Sequence, residues 1–493
     1  MKGPILTIAA TGAANLASVK AMCARAGVEA LVTEDPEVLH KSERALLPGV
    51  GAFGAALEKL RRSGLDGALA ARIAEGRPTM GICLGMQMLC ASSEETAGVP
   101  GIGALPCAVR KLKTELPLPQ LGWNMVRPAP GDSFLKPGWA YFANSYMVAE
   151  APEGYVSASC FYGEKFAATL ESRFDAATRA PAILLCQFHP ELSGRWGLDL
   201  FMRWMGLDGL EGLKSLGGFE DLEASKDSAP NTPAEEKARG TATRIIPCLD
   251  IRGGRVVKGV RFENLVDSGE PSELAARYEA EGADEIALLD ISATLEERKT
   301  ALDAVAAVRK SVSIPISVGG GIKSVEDAER LLNAGADRVS VNSAAVRDPA
   351  LISALAERFG VQCVIVAIDA RRKSADGTQA WEVLIDAGKS ATGLDAVEWT
   401  RRCAFLGAGE ILLTSIDRDG TGLGYDCALV AAIAEAARIP VIASGGATRP
   451  EHFLEGVRSG ASAVLGAGAF HRKELAIVDL KHYLSDCRVE VRS

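Results

Sequence analysis

The run IPISVGGG at residues 314–321 recurs 125 residues later as IPVIASGG at residues 439–446. At the same offset, GAD at 335–337 recurs as GAS at 460–462, and GADE at 282–285 recurs as GAGE at 407–410. IIPCLD at 245–250 is echoed 119 residues later by VIVAID at 364–369. Each copy contains four strand-like apolar runs separated by stretches of helical periodicity. Two copies give eight strands, so we predict a (β/α)8 barrel of two duplicated half-barrels rather than a doubly wound open sheet.

The first half of the chain also alternates strand-like and helical patterns, which predicts a separate α/β domain. Between the halves, residues 223–237 are charged, contain Pro and Ser, and lack large apolar side chains. This composition is typical of a solvated linker. We therefore predict a domain at residues 1–205, a linker at 206–243 and the barrel at 244–493.

The bulk composition narrows the class of protein. A chain of 493 residues is too long to fold around a single hydrophobic core, so we expect more than one domain. The content of 48% hydrophobic residues is typical of globular domains. The net charge of −9 and the absence of a long basic run argue against nucleic acid and anionic membranes as partners. Eleven cysteines without CxxC pairs indicate a reducing cytoplasm rather than a disulfide scaffold or a metal site. No signal peptide or apolar run of 18 residues is evident, so we expect a cytoplasmic protein.

Cys83 lies in PTMGICLGMQ at 78–87, a run that predicts a short strand, a sharp G-x-C-x-G turn and a helix. At a helix N-terminus, the helix dipole and free N–H groups lower a thiol pKa. His189 and Glu191, in QFHPE at 187–191, supply a base and a carboxylate to orient it. We predict a Cys83–His189–Glu191 triad; the alternative is that Cys83 is a buried structural thiol.

This constellation resembles the class I glutamine amidotransferase family, whose glutaminase domain releases ammonia for a partner synthase. LPGVG at 47–51 resembles that family's oxyanion strand, in which small residues let backbone N–H groups approach a tetrahedral intermediate. By this resemblance, the oxyanion and glutamine-binding residues are Gly49, Val50, Gly51, Leu84, Gln87 and Glu95.

In the predicted barrel, Asp250 ends the first strand and Asp369 the fifth. Barrel active sites lie at the carboxyl ends of strands, so the two carboxylates should face each other across the mouth. Such a pair serves as acid and base where the surroundings separate the two pKa values. Each aspartate alone could equally be a helix N-cap. Their symmetric placement on opposite strands favours the catalytic interpretation.

Small-residue turns follow strands 3 and 4 of the predicted barrel, and corresponding turns follow strands 7 and 8. Backbone N–H groups of paired small turns at helix N-termini bind phosphate. Two such sites at opposite rims predict a long substrate with phosphate at both ends. The residues are Gly320, Gly321, Asn342, Ser343, Gly445, Gly446, Ala467 and Gly468.

The second half closely resembles the cyclase family of imidazole glycerol phosphate synthases, which act in histidine biosynthesis. The motifs are RIIPCLD at 244–250, RVVKG at 255–259, FENL at 262–265 and LTSIDRDGT at 413–421, and the resemblance extends to about residue 492. Because the first half is similar to the glutaminase partner of that cyclase, the chain resembles the fused, bifunctional form.

The resemblance implies that ammonia released at Cys83 passes through the barrel to its far mouth. There it joins a bis-phosphorylated ribonucleotide, phosphoribulosyl-formimino-aminoimidazole carboxamide ribonucleotide. The products are imidazole glycerol phosphate and aminoimidazole carboxamide ribonucleotide. Asp250 and Asp369 become the acid–base pair, Lys258 a lid residue near substrate, and Asp419 a further carboxylate at the mouth. No cofactor or metal is implied, and no oligomer is required.

Four charged residues begin strands of the predicted barrel, where the interior is normally apolar: Arg244, Glu285, Arg338 and Glu410. The family resemblance implies a salt-bridged gate over the ammonia passage. The alternative is four surface charges at strand starts.

The glutaminase half departs from its family at positions that line the interface in that family. Ala10 and Thr11 stand for the usual Asp-Tyr, Gln120 and Asn144 for two histidines, and Leu192 for the lysine after H-P-E. The lysine would pair with Asp337 of the barrel, so we expect weaker coupling of the two sites.

The sequence leaves three alternative functions to consider. The first half could be a regulatory or scaffolding glutaminase-like domain on a cyclase that uses free ammonia. The glutaminase–barrel pair that makes pyridoxal phosphate needs a Schiff-base lysine and lacks the paired carboxylates and phosphate turns. The sister isomerase barrel of the histidine pathway has the repeat but needs no ammonia donor.

Overall fold

The computed structural model describes the backbone of residues 3–11, 16–131, 133–174, 179–207, 240–260, 263–291, 295–373 and 380–492. The side chains of 258–268 and 292–300 lie outside that description, as does most of the predicted linker, residues 208–239. The chain divides into two compact units. The first comprises Met1–Ala13, Val19–Leu116 and Asn124–Gly240, and the second comprises Ala14–Ser18, Pro117–Trp123 and Thr241–Ser493. Two short segments of the predicted first domain therefore group with the barrel.

The first half of the chain alternates strands and helices as far as Met88, and its described residues from Cys90 to Cys186 form strands without a helix between them. Its strands are β1 (Ile5–Ala9), β2 (Glu29–Thr33), β3 (Ala45–Leu47), β4 (Thr79–Ile82), β5 (Cys90–Ser93), β6 (Leu105–Lys111), β7 (Gln120–Val126), β8 (Gly138–Asn144), β9 (Tyr146–Val148), β10 (Tyr155–Val156), β11 (Ser159–Tyr162), β12 (Glu164–Ala167), β13 (Thr169–Ser172) and β14 (Ile183–Cys186). Its helices are α1 (Leu16–Arg25), α2 (Pro36–Lys41), α3 (Phe53–Ser63), α4 (Leu65–Ala74), α5 (Leu84–Met88) and α6 (Gly194–Trp204), with a 3-10 helix at Pro190–Leu192.

A mixed sheet forms the centre of the first unit, with strand order β10-β13-β14-β4-β3-β1-β2. The strands from β14 to β2 are parallel, and β13 and β10 are antiparallel additions at one edge. Leu47 pairs with Gly81, and Ile82 pairs with Cys186, so β3, β4 and β14 end at nearly the same level. The chain segments that follow these three strands are consequently neighbours at one edge of the sheet.

The second half forms the longer series of elements. Its strands are β15 (Arg244–Arg252), β16 (Arg255–Val260), β17 (Glu263–Gly269), β18 (Ile286–Asp290), β19 (Ile316–Gly319), β20 (Arg338–Val341), β21 (Val364–Arg372), β22 (Trp381–Ile385), β23 (Ser390–Asp395), β24 (Glu410–Ser415), β25 (Val441–Ser444) and β26 (Ala463–Gly466). Its helices are α7 (Pro271–Ala280), α8 (Leu295–Ser311), α9 (Val325–Ala334), α10 (Ser343–Arg347), α11 (Ala350–Phe359), α12 (Ala396–Phe405), α13 (Cys427–Ala437), α14 (Pro450–Arg458), α15 (Gly468–His471) and α16 (Ile477–Asp486), with a 3-10 helix at Val361–Cys363.

Eight parallel strands close into a barrel in the second unit. The order is β15, β18, β19, β20, β21, β24, β25 and β26, and β26 pairs with β15 to close the ring. Buried side chains from these strands form an interior cluster: Ile246, Cys248, Ala287, Ile365, Leu412, Ile442, Ala463 and Leu465. The predicted (β/α)8 barrel is confirmed.

The two half-barrels share a feature that the repeat did not reveal. β15 and β21, the first and fifth strands of the barrel, are each nine residues long. Each continues into an antiparallel pair, β16–β17 after β15 and β22–β23 after β21. The duplication thus includes an extended hairpin at the carboxyl end of each half's first strand.

No helix within the described ranges is both long and apolar enough to cross a membrane.

Candidate active sites

Cys83 occupies a strained turn between β4 and α5. Its φ of 50° and ψ of −108° lie in a region that non-glycine residues rarely adopt, and such strain is concentrated at functional sites. The backbone N–H of Cys83 donates to the carbonyl of Cys186 at 2.7 Å, which fixes the turn against β14. A Cβ at Gly85 would lie 2.1 Å from the carbonyl oxygen of Leu47, so the turn requires glycine there.

His189 and Glu191 follow β14, the neighbour of β4 in the sheet. His189 Nδ1 lies 2.9 Å from Glu191 Oε1, and both side chains are buried. Burial alone lowers the pKa of His189, but the Glu191 carboxylate and the hydrogen-bonded Cys83 thiol together raise that pKa well above its ordinary value. Because Glu191 engages Nδ1, Nε2 is the ring atom left to exchange a proton with Cys83.

The run from Gly49 to Gly51 follows β3 and passes against the nucleophile turn. A Cβ at Gly49 would lie 2.1 Å from the backbone nitrogen of Gly85 and 2.6 Å from the carbonyl carbon of Leu84. Gly51 has a φ of 111°, a left-handed conformation that glycine adopts without strain. Gly49, Val50 and Gly51 therefore bring backbone groups to within contact of the turn that carries Cys83.

Gln87 reaches the nucleophile through a residue that the sequence reasoning missed. The amide nitrogen of Gln87 donates to the carbonyl of Tyr146 at 2.9 Å and to Oε1 of Gln187 at 3.0 Å. The amide nitrogen of Gln187 in turn lies 3.5 Å from Cys83 Sγ. Gln187 precedes the H-P-E run by two positions. Because it follows the same strand as His189, its position in the sequence could have indicated that it lies near the nucleophile.

The carboxylate of Glu95 lies at the start of α3. The backbone N–H of Phe53, the first residue of α3, donates to the Glu95 carboxylate. Burial raises the pKa of Glu95 to about 7, although this hydrogen bond opposes the shift. A partly buried carboxyl group with that pKa changes charge near neutral pH.

Asp250 and Asp369 lie inside β15 and β21, near the carboxyl end of each strand. The strands continue two and three residues beyond them, which corrects the expectation that each aspartate ends its strand. Neither residue caps a helix, so the N-cap alternative is removed. Three barrel strands separate β15 from β21 in either direction around the ring, so the two aspartates lie on opposite sides.

The surroundings of Asp369 set its protonation. Burial raises the pKa of Asp369 to about 6, a hydrogen bond from Asn342 opposes the rise, and the nearby Asp419 adds to it. Asn342 Nδ2 donates to Asp369 Oδ2 at 3.0 Å. A pKa near 6 suits a group that exchanges protons close to neutral pH. Asp250 is buried, with Cys248 Sγ 3.9 Å from its Oδ1.

The small-residue turns occupy corresponding places in the two half-barrels and have similar backbone geometry. Asn342 precedes α10 with φ −128° and ψ −96°, and Ala467 precedes α15 with φ −126° and ψ −72°. A Cβ at Gly320 would lie 2.0 Å from the carbonyl oxygen of Asp290, and one at the equivalent Gly445 would lie 3.0 Å from that of the equivalent Ser415. The remaining members, Gly321, Ser343, Gly446 and Gly468, also follow the carboxyl ends of β19, β20, β25 and β26.

Two further expected residues lie in the segments after β15 and β24. Lys258 is in β16, and its side chain lies outside the described residues. Asp419 is on the loop between β24 and α13, where its backbone N–H donates to the carbonyl of Ser415 at 2.9 Å. Its charge acts on Asp369, which lies on the adjacent strand β21.

At the opposite end of the barrel, four buried side chains form a closed ring of alternating charge. Arg244 Nη1 is 2.7 Å from Glu285 Oε2, and Arg338 Nη1 is 3.3 Å from Glu285 Oε1. Arg338 Nη2 is 2.5 Å from Glu410 Oε2, and Arg244 Nη2 completes the ring on Glu410. Glu285 precedes β18 by one residue, whereas the other three begin their strands. Burial opposes ionisation of Glu410, but Arg244 and Arg338 hold its pKa below the ordinary value.

In the part of the chain that the structure describes, no group of three or more His, Cys, Asp or Glu side chains is arranged to hold a metal ion.

Comparisons with known proteins assign the two halves of the chain to two different families of domain. Residues 244–476 match the model of the histidine biosynthesis protein family, and residues 13–116 match that of the CobB/CobQ-like glutamine amidotransferase domain. The chain is 57% identical over 253 residues to imidazole glycerol phosphate synthase subunit HisF of Pyrobaculum aerophilum, which covers 51% of this chain and 98% of that protein. The chain belongs to the imidazole glycerol phosphate synthase family. It is an enzyme of histidine biosynthesis that joins a glutamine amidotransferase domain to a cyclase barrel, as the sequence predicted.

The positions that depart from the family pattern are mostly buried. Ala10 follows β1 and is half-buried, and Thr11 is buried. Gln120 begins β7 and is fully buried, while Asn144 ends β8 and donates to the carbonyl of Tyr146 at 3.1 Å. Leu192 is buried in the 3-10 helix that follows His189.

Asp337, the family partner of the missing lysine, has other partners in this chain. Arg309 Nη1 lies 2.9 Å from Asp337 Oδ2, and the hydroxyl of Ser18 donates to Oδ1 at 2.7 Å. The backbone N–H of Ile316 also donates to Oδ2, at 2.8 Å. Within the second unit the charge of Asp337 is therefore compensated without a lysine at position 192.

Proposed function

We propose that this chain hydrolyses glutamine at Cys83 and passes the ammonia through the barrel to a cyclisation site at Asp250 and Asp369. The observation that carries the proposal is the arrangement of the barrel, with a buried charged ring at one end and a carboxylate pair at the other. Arg244 and Asp250 are six residues apart on β15, a strand separation of about 20 Å. The barrel interior between these levels is lined by aliphatic and small side chains.

In the glutaminase step, the Cys83 thiolate attacks the carboxamide carbon of glutamine. His189, held by Glu191, donates a proton to the departing nitrogen and later removes one from the water that hydrolyses the thioester. The turn at Gly49, Val50 and Gly51 supplies the backbone N–H groups that stabilise the oxyanion. Leu84, Gln87 and Glu95 complete the glutamine site.

The ring of Arg244, Glu285, Arg338 and Glu410 lies where ammonia enters the barrel. Its four charges are paired in a closed ring, so opening one pair leaves each partner held by a second. We assign the ring as a gate that admits a small neutral molecule and excludes bulk water. A gate of this kind keeps ammonia from being protonated before it reaches the mouth.

At the mouth, the bis-phosphorylated ribonucleotide spans the barrel between the two pairs of phosphate turns. Addition of ammonia requires a proton to leave nitrogen, and release of aminoimidazole carboxamide ribonucleotide requires a proton to be supplied. Asp250 and Asp369 perform these transfers from opposite sides of the substrate. Lys258 and Asp419 contact the substrate from the segments that follow β15 and β24.

The reaction needs only glutamine and the ribonucleotide as substrates, with no nucleic acid, cofactor or second copy of the chain. We place it in a reducing cytoplasm. The acidic net charge supports the exclusion of nucleic acid, and the eleven cysteines without CxxC pairs support a reducing compartment.

The direct test is a competition between nitrogen sources. The full chain is supplied with glutamine labelled with 15N in its amide group, together with a tenfold excess of unlabelled ammonium. We expect imidazole glycerol phosphate to carry the label, because ammonia held in the barrel does not exchange with the medium. Product that is mostly unlabelled would instead favour a cyclase that uses free ammonia and carries a regulatory or scaffolding glutaminase-like domain.

A further inference from the structure

Cys90 and Cys107 bring their sulfur atoms to 3.1 Å from each other in the first unit. Cys90 begins β5 and is fully buried, whereas Cys107 lies in β6 and is partly exposed. The distance is shorter than ordinary contact between two sulfur atoms and about 1 Å longer than the covalent S–S bond of ~2.05 Å. Both residues carry free thiols. They take no part in the triad or in the glutamine site described above.

We propose that Cys90 and Cys107 are an oxidation site that forms a reversible disulfide in response to hydroperoxides. In the first step, the Cys107 thiolate attacks the peroxide, so that an S–O bond forms, the O–O bond breaks and hydroxide or alkoxide leaves with a proton from solvent. In the second step, the Cys90 sulfur attacks the sulfenic acid of Cys107. The S–S bond forms, the S–O bond breaks, and the thiol proton of Cys90 leaves with the hydroxide as water. The two thiols supply the two electrons that reduce the peroxide, and a dithiol reductant reverses the reaction.

The order of these steps follows from the surroundings of the two thiols. Cys107 is the less buried sulfur and can meet a peroxide from solvent. The hydrogen bond with Cys90 lowers the pKa of the Cys107 thiol, although partial burial opposes the shift. The same hydrogen bond, together with burial, raises the pKa of Cys90 well above its ordinary value. Cys107 therefore attacks first and Cys90 resolves the sulfenic acid.

The disulfide would act on the glutaminase site through the segment that it closes. Residues 91–106 lie between the two cysteines and include Glu95, and Cys90 Sγ lies 3.7 Å from the carbonyl oxygen of Met86 in α5. To form the bond, the sulfurs must approach by about 1 Å, which shifts β5 against β6 behind the helix that begins after Cys83. This consequence rests on the proposed role of Glu95, and we expect the oxidised enzyme to bind glutamine more weakly.

The disulfide itself is tested by mass, independently of any activity. The reduced full chain is treated with hydrogen peroxide at about tenfold molar excess, alkylated, digested without reductant and mapped. We expect a linked Cys90–Cys107 peptide in the wild type that dithiothreitol removes. It should be absent in Cys107→Ser and retained in Cys427→Ser, which removes a partly exposed thiol of the barrel. In Cys90→Ser, a sulfenic acid trap such as dimedone should label Cys107 faster than Cys427 or Cys487.

Failure to detect the linked peptide, or labelling of Cys107 no faster than of Cys427 and Cys487, would overturn the oxidation site. The functional consequence is tested separately by glutamine kinetics before and after peroxide. We expect the KM for glutamine to rise at least threefold and to recover with dithiothreitol, with no such change in Cys107→Ser. Loss of kcat in both proteins would report oxidation of Cys83 instead. An unchanged KM in protein that carries the disulfide would contradict the effect on Glu95 while leaving the modification established.

Discussion

Two carboxyl groups, Asp369 and Glu95, have pKa values that burial raises to about 6 and about 7. Each sits where the proposed chemistry needs a charge or a proton near neutral pH. Asp369 is held by a hydrogen bond from Asn342, and Glu95 by the first backbone N–H of α3. The protonation of these two residues is therefore set by local structure and can be measured one residue at a time.

The barrel carboxylates lead to the first prediction. Asp250→Asn and Asp369→Asn should each reduce cyclisation about 10²–10⁴-fold with either glutamine or ammonium, because proton transfer is needed however ammonia arrives. Steady-state formation of imidazole glycerol phosphate measures the effect. Asp395→Asn is a matched control, since the Asp395 side chain is the N-cap of α12, accepting from the backbone N–H groups of Val397 and Glu398, and asparagine serves equally well there. Near-normal turnover in either of the first two variants would show that the symmetric placement is not catalytic.

The raised pKa of Glu95 gives a prediction of pH dependence. If the ionised carboxylate holds the ammonium group of glutamine, the KM for glutamine should rise about tenfold for each pH unit well below 7, because the ionised fraction of Glu95 falls about tenfold per unit there. In Glu95→Gln the KM should be high throughout and lack this dependence. The KM for the ribonucleotide serves as the control and should not follow the same curve. The same inflection in Glu95→Gln would mean that another group is titrating.

At the scale of secondary-structure elements, the sequence predicted the duplicated half-barrels. It did not predict the hairpins that follow β15 and β21. The repeat predicts the barrel because strands, Gly-rich turns and carboxylates recur at fixed offsets. The hairpin sequences differ between the halves, so no repeat marks them. Gln187 and the Cys90–Cys107 pair escaped for a different reason. Gln187 comes close to Cys83 because β14 pairs with β4, and Cys90 meets Cys107 because β5 pairs with β6, and neither strand pairing is marked in the sequence.

The sequence predicted the four residues of the charged ring at the barrel entrance, and the structure shows which of them form ion pairs with each other. Glu410→Gln removes one of two anions and leaves Arg244 and Arg338 to share Glu285. We expect a loss of about 3–5 kcal/mol in the free energy of unfolding, since a buried pair is broken. We also expect ammonia to leak, so that more glutamate than imidazole glycerol phosphate is formed. Denaturant unfolding and the ratio of the two products measure these effects.

Glu329→Gln provides the comparison for the ring. Its partner Arg358 lies 2.6 Å away in a partly exposed pair, so the stability change should stay below about 1 kcal/mol and the product ratio should remain near one. A folded Glu410→Gln protein whose product ratio also stays near one would remove the ring from the path of ammonia.

At the scale of the whole molecule, the question is how strongly the barrel controls the glutaminase. Relatives with a lysine after H-P-E are expected to pair it with the residue that is Asp337 here, whereas this chain has Leu192 and uses Arg309 on Asp337. We predict that ligand on the barrel activates this glutaminase less than it activates such relatives. A covalent connection through the linker compensates by keeping the local concentration of one unit at the other high.

Leu192→Lys tests this interpretation. The ratio of glutaminase rates with and without barrel ligand should rise roughly fivefold, which corresponds to about 1 kcal/mol of coupling free energy between the two sites. Leu192→Met keeps the apolar character of the position and should leave the ratio unchanged. If Leu192→Lys also leaves it unchanged in a folded protein, residue 192 takes no part in coupling.

The division of labour between Cys83 and the two barrel aspartates is tested most directly by Cys83→Ala, assayed with each nitrogen source in turn. With glutamine, formation of imidazole glycerol phosphate should fall to background, because no thiolate is left to attack the carboxamide. With ammonium, the rate should stay within about twofold of wild type, since Asp250 and Asp369 are untouched. Loss of both activities in a folded protein, or retained activity with glutamine, would contradict the account of two sites joined in one chain.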